Sequence, residues 1–302
     1  MAGLFGLRRP LPRWQGFLFG VACVGLVFLL WFIVTAGEAS EDRILSRTVM
    51  PSPGETFGSF KELWFDRALT RNTFTTLRRV MLGFLLAIAV GVPLGVLCGC
   101  FTPVQAFFMP LSIFGRNIPL AALIPLTFAF FGIGEMQKVM FIFIASVMFI
   151  LWDTTTSVRE VDQRYVDSAY TLGANRRQVI MKVLVPAAMP SVFNSLRLLF
   201  GLAFGYIMLA ELVKFGSEAG GLGDIIRQSQ RRGIVEHIWL VLIIIPLIAL
   251  TIDKLLYWAQ RSFFPHRYGG SGGLRSALRF MMHGIEDFKG VFFRSKKQAD
   301  AE

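Results

Sequence analysis

The sequence predicts an all-α membrane protein of six transmembrane helices. Hydrophobic residues make up 54% of the 302-residue chain, only 17% are charged, and mean hydropathy is +0.57. That is too apolar for an ordinary soluble domain. Six apolar runs approach the roughly 20 residues that a helix needs to cross about 30 Å of hydrocarbon. They are 17–36, 80–101, 106–131, 136–152, 192–215 and 238–256. Basic residues flank the set, with Arg8, Arg9 and Arg13 before the first run and Arg261, Arg267, Arg275, Arg279, Lys289 and Arg294 after the last. Cytoplasmic loops retain such residues, so both termini are expected in the cytoplasm, with an even number of crossings. The net charge of +11 is read in the same way, as contact with loops and anionic lipid rather than with nucleic acid.

The first run follows three arginines and ends Val34-Thr35-Ala36, yet it is longer than the 7–15 residues or so of a signal-peptide core. An uncleaved anchor is expected. Met50-Pro51-Ser52-Pro53-Gly54 then marks a turn. Phe57, Phe60, Trp64 and Ala68 recur at helical spacing and predict a helix on the outer membrane surface. In the second run Gly83, Gly91, Gly95 and Gly99 keep multiples of four residues, a pattern for close helix approach. The third run carries Pro110, Pro119 and Pro125 around Arg116-Asn117, and predicts one kinked helix, either a packing helix or one whose broken backbone faces a pathway. Arg116 lies about ten residues into it, near mid-membrane. It either attracts an anionic solute or pairs with Glu211 or a backbone carbonyl. The fourth run is the weakest, since its strictly apolar part is short enough to be re-entrant.

Between the fourth and fifth runs the chain turns polar. Val161, Tyr165, Ser168 or Ala169, and Leu172 share one helical face; Gly173 permits a chain reversal; and a second helix over 174–184 is expected to be closed by Pro186. In the fifth run Arg197 sits within snorkelling reach of the inner interface, with an inner gate as the alternative. Glu211 near its outer end is read as a contact to solute or partner, or as a helix-end contact. Asp253 and Lys254 are read as interfacial. Cys23, Cys98 and Cys100 lie in apolar runs and read as packing residues. His237, His266 and His283 read as solvated or interfacial. No Gly-Lys dipeptide exists in the sequence, so the chain has no phosphate-binding loop of the G-x-x-x-x-G-K-[ST] form.

The polar segment reads Asp167-Ser168-Ala169, three residues, Gly173, nine residues, Val183, one residue, Val185-Pro186. This closely resembles the EAA motif of ABC transporter permeases, which begins Glu-Ala-Ala and ends Ile-x-Leu-Pro; four positions differ by near-isosteric or same-charge changes. The resemblance runs from about residue 50 to 261. Leu77-Arg78-Arg79-Val80, the phrase from Ile118-Pro119-Leu120 to Ile124-Pro125-Leu126, and Gly221-Leu222-Gly223 look like the nitrate/sulfonate/taurine/bicarbonate branch.

The resemblance implies a type I importer permease (MetI-like) fold and a non-enzymatic transport subunit without catalytic residues, metal or cofactor. Asp167, Ser168, Ala169, Gly173, Val183, Val185 and Pro186 would couple it to a separate ATPase, present in two copies. Arg116, Asn117, Pro119, Arg197 and Glu211 would belong to the translocation pathway. The other implied partners are an extracytoplasmic substrate-binding protein, a second copy of the permease and membrane lipid. The expected solute is a small anion or zwitterion such as nitrate, bicarbonate, an alkyl sulfonate or taurine. A heterocyclic vitamin precursor is the alternative, and a passive channel or scaffold, or an integral membrane enzyme, the competing class. The expected organisation is a cytoplasmic N-terminus (1–15), a first transmembrane helix (16–36), an extracytoplasmic loop with an interfacial helix (37–79), a permease core (80–258, coupling loop 153–190) and a cytoplasmic tail (259–302). In the tail Leu274, Leu278, Met281, Ile285, Phe288 and Phe292 predict a basic amphipathic helix lying on the inner leaflet or on the ATPase.

Overall fold

The computed structural model describes residues 12–37, 43–213 and 220–264. The expected tail helix, His266 and His283 lie outside these residues. Among the described residues all regular structure is helical. Five helices among the described residues are long and apolar enough to cross a membrane, and a sixth crossing is available if one bent pair counts as a single span.

One compact unit comprises Met1–Thr75 and Ala219–Ile245. Its first helix, α1 (Arg13–Val34), exposes nearly every apolar side chain, as a lipid-facing anchor would. Only its end is held: Trp31 donates its indole N–H to the Pro51 carbonyl at 2.9 Å and stacks on Trp239. The expected surface helix is two short ones, α2 (Pro53–Gly58) and α3 (Phe60–Phe65), with Phe57, Phe60 and Trp64 all exposed. Ser52 and Glu55 form a reciprocal capping box at the start of α2. Arg43 beside Glu55 holds its carboxyl down to about 2, against the opposing pull of partial burial. The amphipathic α11 (Leu222–Arg232) begins where Asn72 Oδ1 accepts the Gly221 N–H at 2.8 Å. Burial would push up the Asp224 carboxyl in its first turn, but Arg227, the Gly220 N–H and Gln228 together hold it below the usual range. His237, expected to be solvated or interfacial, is fully buried, with Glu62 Oε2 3.5 Å from its Nε2. The helical run that it opens is packed rather than wet at this end.

The other unit comprises Thr76–Glu218 and Pro246–Glu302. At its centre is α7 (Glu135–Arg159), an unbroken helix of 25 residues, about 37 Å at 1.5 Å per residue. The fourth run is therefore long enough to cross once its polar ends join the helix. Phe141, Ile142 and Ile150 on α7 are fully buried, as are Phe204 and Ile207 on α10 (Val185–Leu212).

The glycine stripe packs as its spacing predicts. A Cβ on Gly83, Gly91, Gly95 or Gly99 of α4 (Leu69–Cys100) would fall within 2.9 Å of an α7 atom in every case, and Ala87 completes the row with no exposed surface. At Gly95 the Cβ would lie 2.6 Å from Thr154 Cβ and 2.9 Å from the Leu151 carbonyl oxygen. Backbone cannot retreat as a flexible side-chain tip can, so the helices must separate. Gly95→Val is expected to lower the melting temperature of the detergent-solubilised protein by an amount matching about 1–3 kcal/mol of overpacking. Gly201→Ala, with nothing within 4 Å of the added carbon, should leave it unchanged or raise it.

The third run departs from expectation. Instead of one kinked span it forms α5 (Thr102–Arg116) and α6 (Leu120–Phe131), bent by 105°. Pro93, Pro110, Pro125 and Pro246 are all carried inside continuous helices. Only Pro119 coincides with a break. Asn117 explains the difference, because its side-chain amide donates to the Ile113 carbonyl at 2.7 Å and caps the end of α5. Ile118, as the residue before proline, is then pushed away from helical backbone. Both halves pack on α7: Ser112 Oγ donates to the Met148 carbonyl, and Gln137 Nε2 donates to Thr127 Oγ1 at 2.8 Å.

Candidate functional site: an exposed helical knob, a polar cleft and a buried ion cluster

The polar segment joins the end of α7 to the start of α10. Asp162 caps α8 (Gln163–Thr171) by accepting the Arg164 N–H at 3.0 Å. At its far end the Gly173 N–H donates to Tyr170 and the Ala174 N–H to Ala169, with Gly173 at φ +80°. This is the Schellman closure, whose left-handed residue is glycine because a Cβ would be strained there. Asn175 and Gln178 then form a second capping box for α9 (Arg176–Val179).

The knob thus meets its own backbone demands, yet it leaves apolar side chains in the open. Leu172 is 87% exposed, Tyr165 62%, Met181 60% and Tyr170 49%. Of the motif residues, Asp167, Ser168, Gly173 and Pro186 are exposed, and Ala169, Val183 and Val185 are half-buried. Its base is anchored by buried Val158, Ala188 and Val192, packed with Val161 and Met189.

The second helix of the knob does not stop at Pro186 as expected. Residues Arg176–Leu212 form one continuous helix, in which a π turn at Ile180–Leu184 immediately precedes Val185-Pro186. A proline ring clashes with the carbonyl four residues earlier, here that of Lys182, and supplies no donor. The wider turn accommodates both defects at the same place.

Beside the knob, the last turns of α7 and the first of α10 line a polar cleft of about 460 Å³. Trp152, Asp153, Thr156, Ser157 and Glu160 face it from α7, and Ser191, Asn194 and Ser195 from α10. Arg116, in the last turn of α5 rather than mid-helix, lays its guanidinium over the Trp152 ring at 3.9 Å from the centroid. It also acts on Asp153 electrostatically, as Ser195 does by hydrogen bonding. The alternative pairing of Arg116 with Glu211 is not what forms. Asn117 and Pro119 make the α5–α6 break. Arg197 is held by α12 (Val235–Phe263): Nε lies 2.8 Å from Asp253 Oδ1, Nη1 donates to Gln260 Oε1 at 3.1 Å, and the guanidinium sits 5.0 Å from the Tyr257 ring centroid.

At the end of α7 remote from the knob, Arg79 of α4 is 1% exposed in its side chain and bridges two carboxylates. It donates to both oxygens of Glu135 and, at 2.7 Å, to Glu211 Oε1. Glu211, wholly buried in its side chain, also receives the Thr76 hydroxyl at 2.9 Å. Sequence reading gave Glu211 a candidate role, quoted Arg79 only within a phrase shared with the branch and did not name Glu135, and no periodic pattern joins residues so far apart in the chain. The signal within reach was that Arg79 stands one residue before an apolar run whose helix starts earlier, at Leu69.

Residues 91–267 match the family described as binding-protein-dependent transport system inner membrane component. The chain is 30% identical over 267 residues to the bicarbonate transport system permease protein CmpB of Synechococcus elongatus, covering 85% of this chain and 92% of that one. It is 26% identical over 263 residues to the taurine transport system permease protein TauC of Escherichia coli, covering 85% and 92%. Among solved structures, the MetNI methionine ABC transporter in an inward-facing conformation superposes with a TM-score of 0.59 at 23% identity, over 68% of this chain and 98% of that one, a likeness of fold. The chain belongs to the inner-membrane permeases of binding-protein-dependent ABC importers, in the nitrate/sulfonate/taurine/bicarbonate branch and with the type I fold.

Proposed function

We propose that this chain forms, as a homodimer, the transmembrane path for a small anionic or zwitterionic solute of the nitrate, sulfonate, taurine or bicarbonate kind. The path is driven by two copies of a separate ATPase docked on the 163–184 knob. An extracytoplasmic binding protein delivers the solute, and both termini lie in the cytoplasm. The observation that carries the proposal is the knob itself: a fully capped helix pair, spaced as the EAA motif, that presents Leu172, Tyr165 and Tyr170 to solvent. Apolar side chains on a rigid polar hairpin suit insertion into a partner's groove. The knob is rooted in α7 and α10, so displacement of the knob moves the walls of the adjoining cleft.

Sidedness tests the proposal. Thr171→Cys, on the exposed face of α8, should resist a membrane-impermeant maleimide in intact cells and react once the membrane is opened. Ser59→Cys, between α2 and α3, should react in intact cells. Labelling of Thr171→Cys from outside would place the knob where no ATPase can reach it and overturn the proposal.

A further inference from the structure

The cleft beside the knob is polar, and the ionisable side chains of its lining have one sign. Its two ionisable lining residues are Asp153 and Glu160, joined by the Asn194 amide and the hydroxyls of Thr156 and Ser195. Arg116 stacks on Trp152 and offsets part of the Asp153 charge, with its Nε buried and unpartnered, while Arg197 is bound by Asp253 and Gln260. A volume of about 460 Å³ lies in the range of small-molecule sites, about 300–1,000 Å³.

We infer that this cleft is a solute site that takes the ammonium end of a small zwitterion and disfavours purely anionic solutes. The inference rests on the reading of the chain as the solute path and narrows its substrate class. Asp153 and Glu160 offer carboxylate oxygens to an N–H donor, and such charge-assisted bonds are the strong ones. The anionic end of the same molecule finds neutral donors in Asn194 and the serine and threonine hydroxyls. A simple anion would meet the same neutral donors and also the field of two carboxylates, of which Arg116 offsets the Asp153 charge in part and nothing in the lining offsets Glu160.

The test uses taurine, ethanesulfonate, which is taurine without its amine, and bicarbonate as probes. The permease–ATPase complex in nanodiscs carries Ser191→Cys, on the cleft wall, in a Cys23→Ser, Cys100→Ala background, and protection of the new thiol from a maleimide is titrated without nucleotide. Taurine should protect at about tenfold lower concentration than ethanesulfonate or bicarbonate, the worth of one charge-assisted contact. Asp153→Asn should erase that advantage. Glu160→Gln, which leaves the Arg116–Trp152 stack untouched, should reduce it in a protein of unchanged melting temperature. Equal protection by the three probes, protection by none, or an advantage that survives both substitutions would overturn the inference. ATP turnover in the same discs reports coupling separately. If the cleft inference alone fails, turnover still responds to changes in the knob; if the coupling reading alone fails, protection persists while turnover ignores the knob.

Discussion

Arg79→Leu is expected to destabilise the protein by about 3–5 kcal/mol, the cost of removing one partner from a buried ion pair. The guanidinium ties α4 to both α7 and α10, through Glu135 and Glu211, with 1% of its side chain exposed. Without it, Glu211 keeps Thr76 among the contacts described above but loses the Arg79 charge, with none of its side chain in contact with water. The variant should show a lower melting temperature in detergent and less monodisperse protein on size exclusion. Arg79→Lys should fall between, because one ammonium lacks the planar fork that serves two carboxylates at once. The informative comparison is the double variant Arg79→Leu with Glu211→Gln. Neutralising Glu211 should recover part of the loss, giving a coupling energy of about 0.5–3 kcal/mol. A cluster that acted only on passing solute would instead leave stability unchanged in every variant and alter transport alone.

Elements governed by local rules were legible in the sequence. The glycine stripe of α4 lies against α7 because a four-residue repeat keeps one helical face, and the stripe needs no knowledge of its partner to be recognised. The knob was legible for a similar reason, since Gly173 and the two caps are decided within a few residues. Pairing across the chain was not. Arg79 meets Glu211 across 132 positions, and Arg197 meets Gln260 across 63. A single sequence shows the charges without showing which of them share a wall. Proline misled in both directions. Its missing N–H is equally compatible with a kink, a break or a helix start. Asn117 turned Pro119 into a break, while the π turn before Pro186 let a helix pass through. The depth assigned to Arg116 assumed a straight span, whereas the run bends by 105° next to that residue.

Leu172→Asp is expected to separate coupling from folding. Leu172 is 87% exposed and follows α8, and its own N–H and those of Gly173 and Ala174 close the helix on backbone carbonyls without its side chain. Its side chain therefore contributes little to the stability of the isolated permease, and the melting temperature should not change. If the knob enters a groove on the ATPase, however, the same residue is a buried anchor, and placing a carboxylate there costs the apolar contact and adds desolvation. Loss of such an anchor amounts to about 2 kcal/mol or more, roughly thirtyfold in the Kd of the complex. Co-purification of the ATPase should fall accordingly, and ATP turnover stimulated by a loaded binding protein should collapse with it. Gly173→Val gives a contrasting result, since φ +80° strains any side chain at that position. It should therefore weaken both the knob and the complex. The combination that would sink the coupling assignment is a Leu172→Asp protein that binds its ATPase as tightly as the parent and sustains the same stimulated turnover.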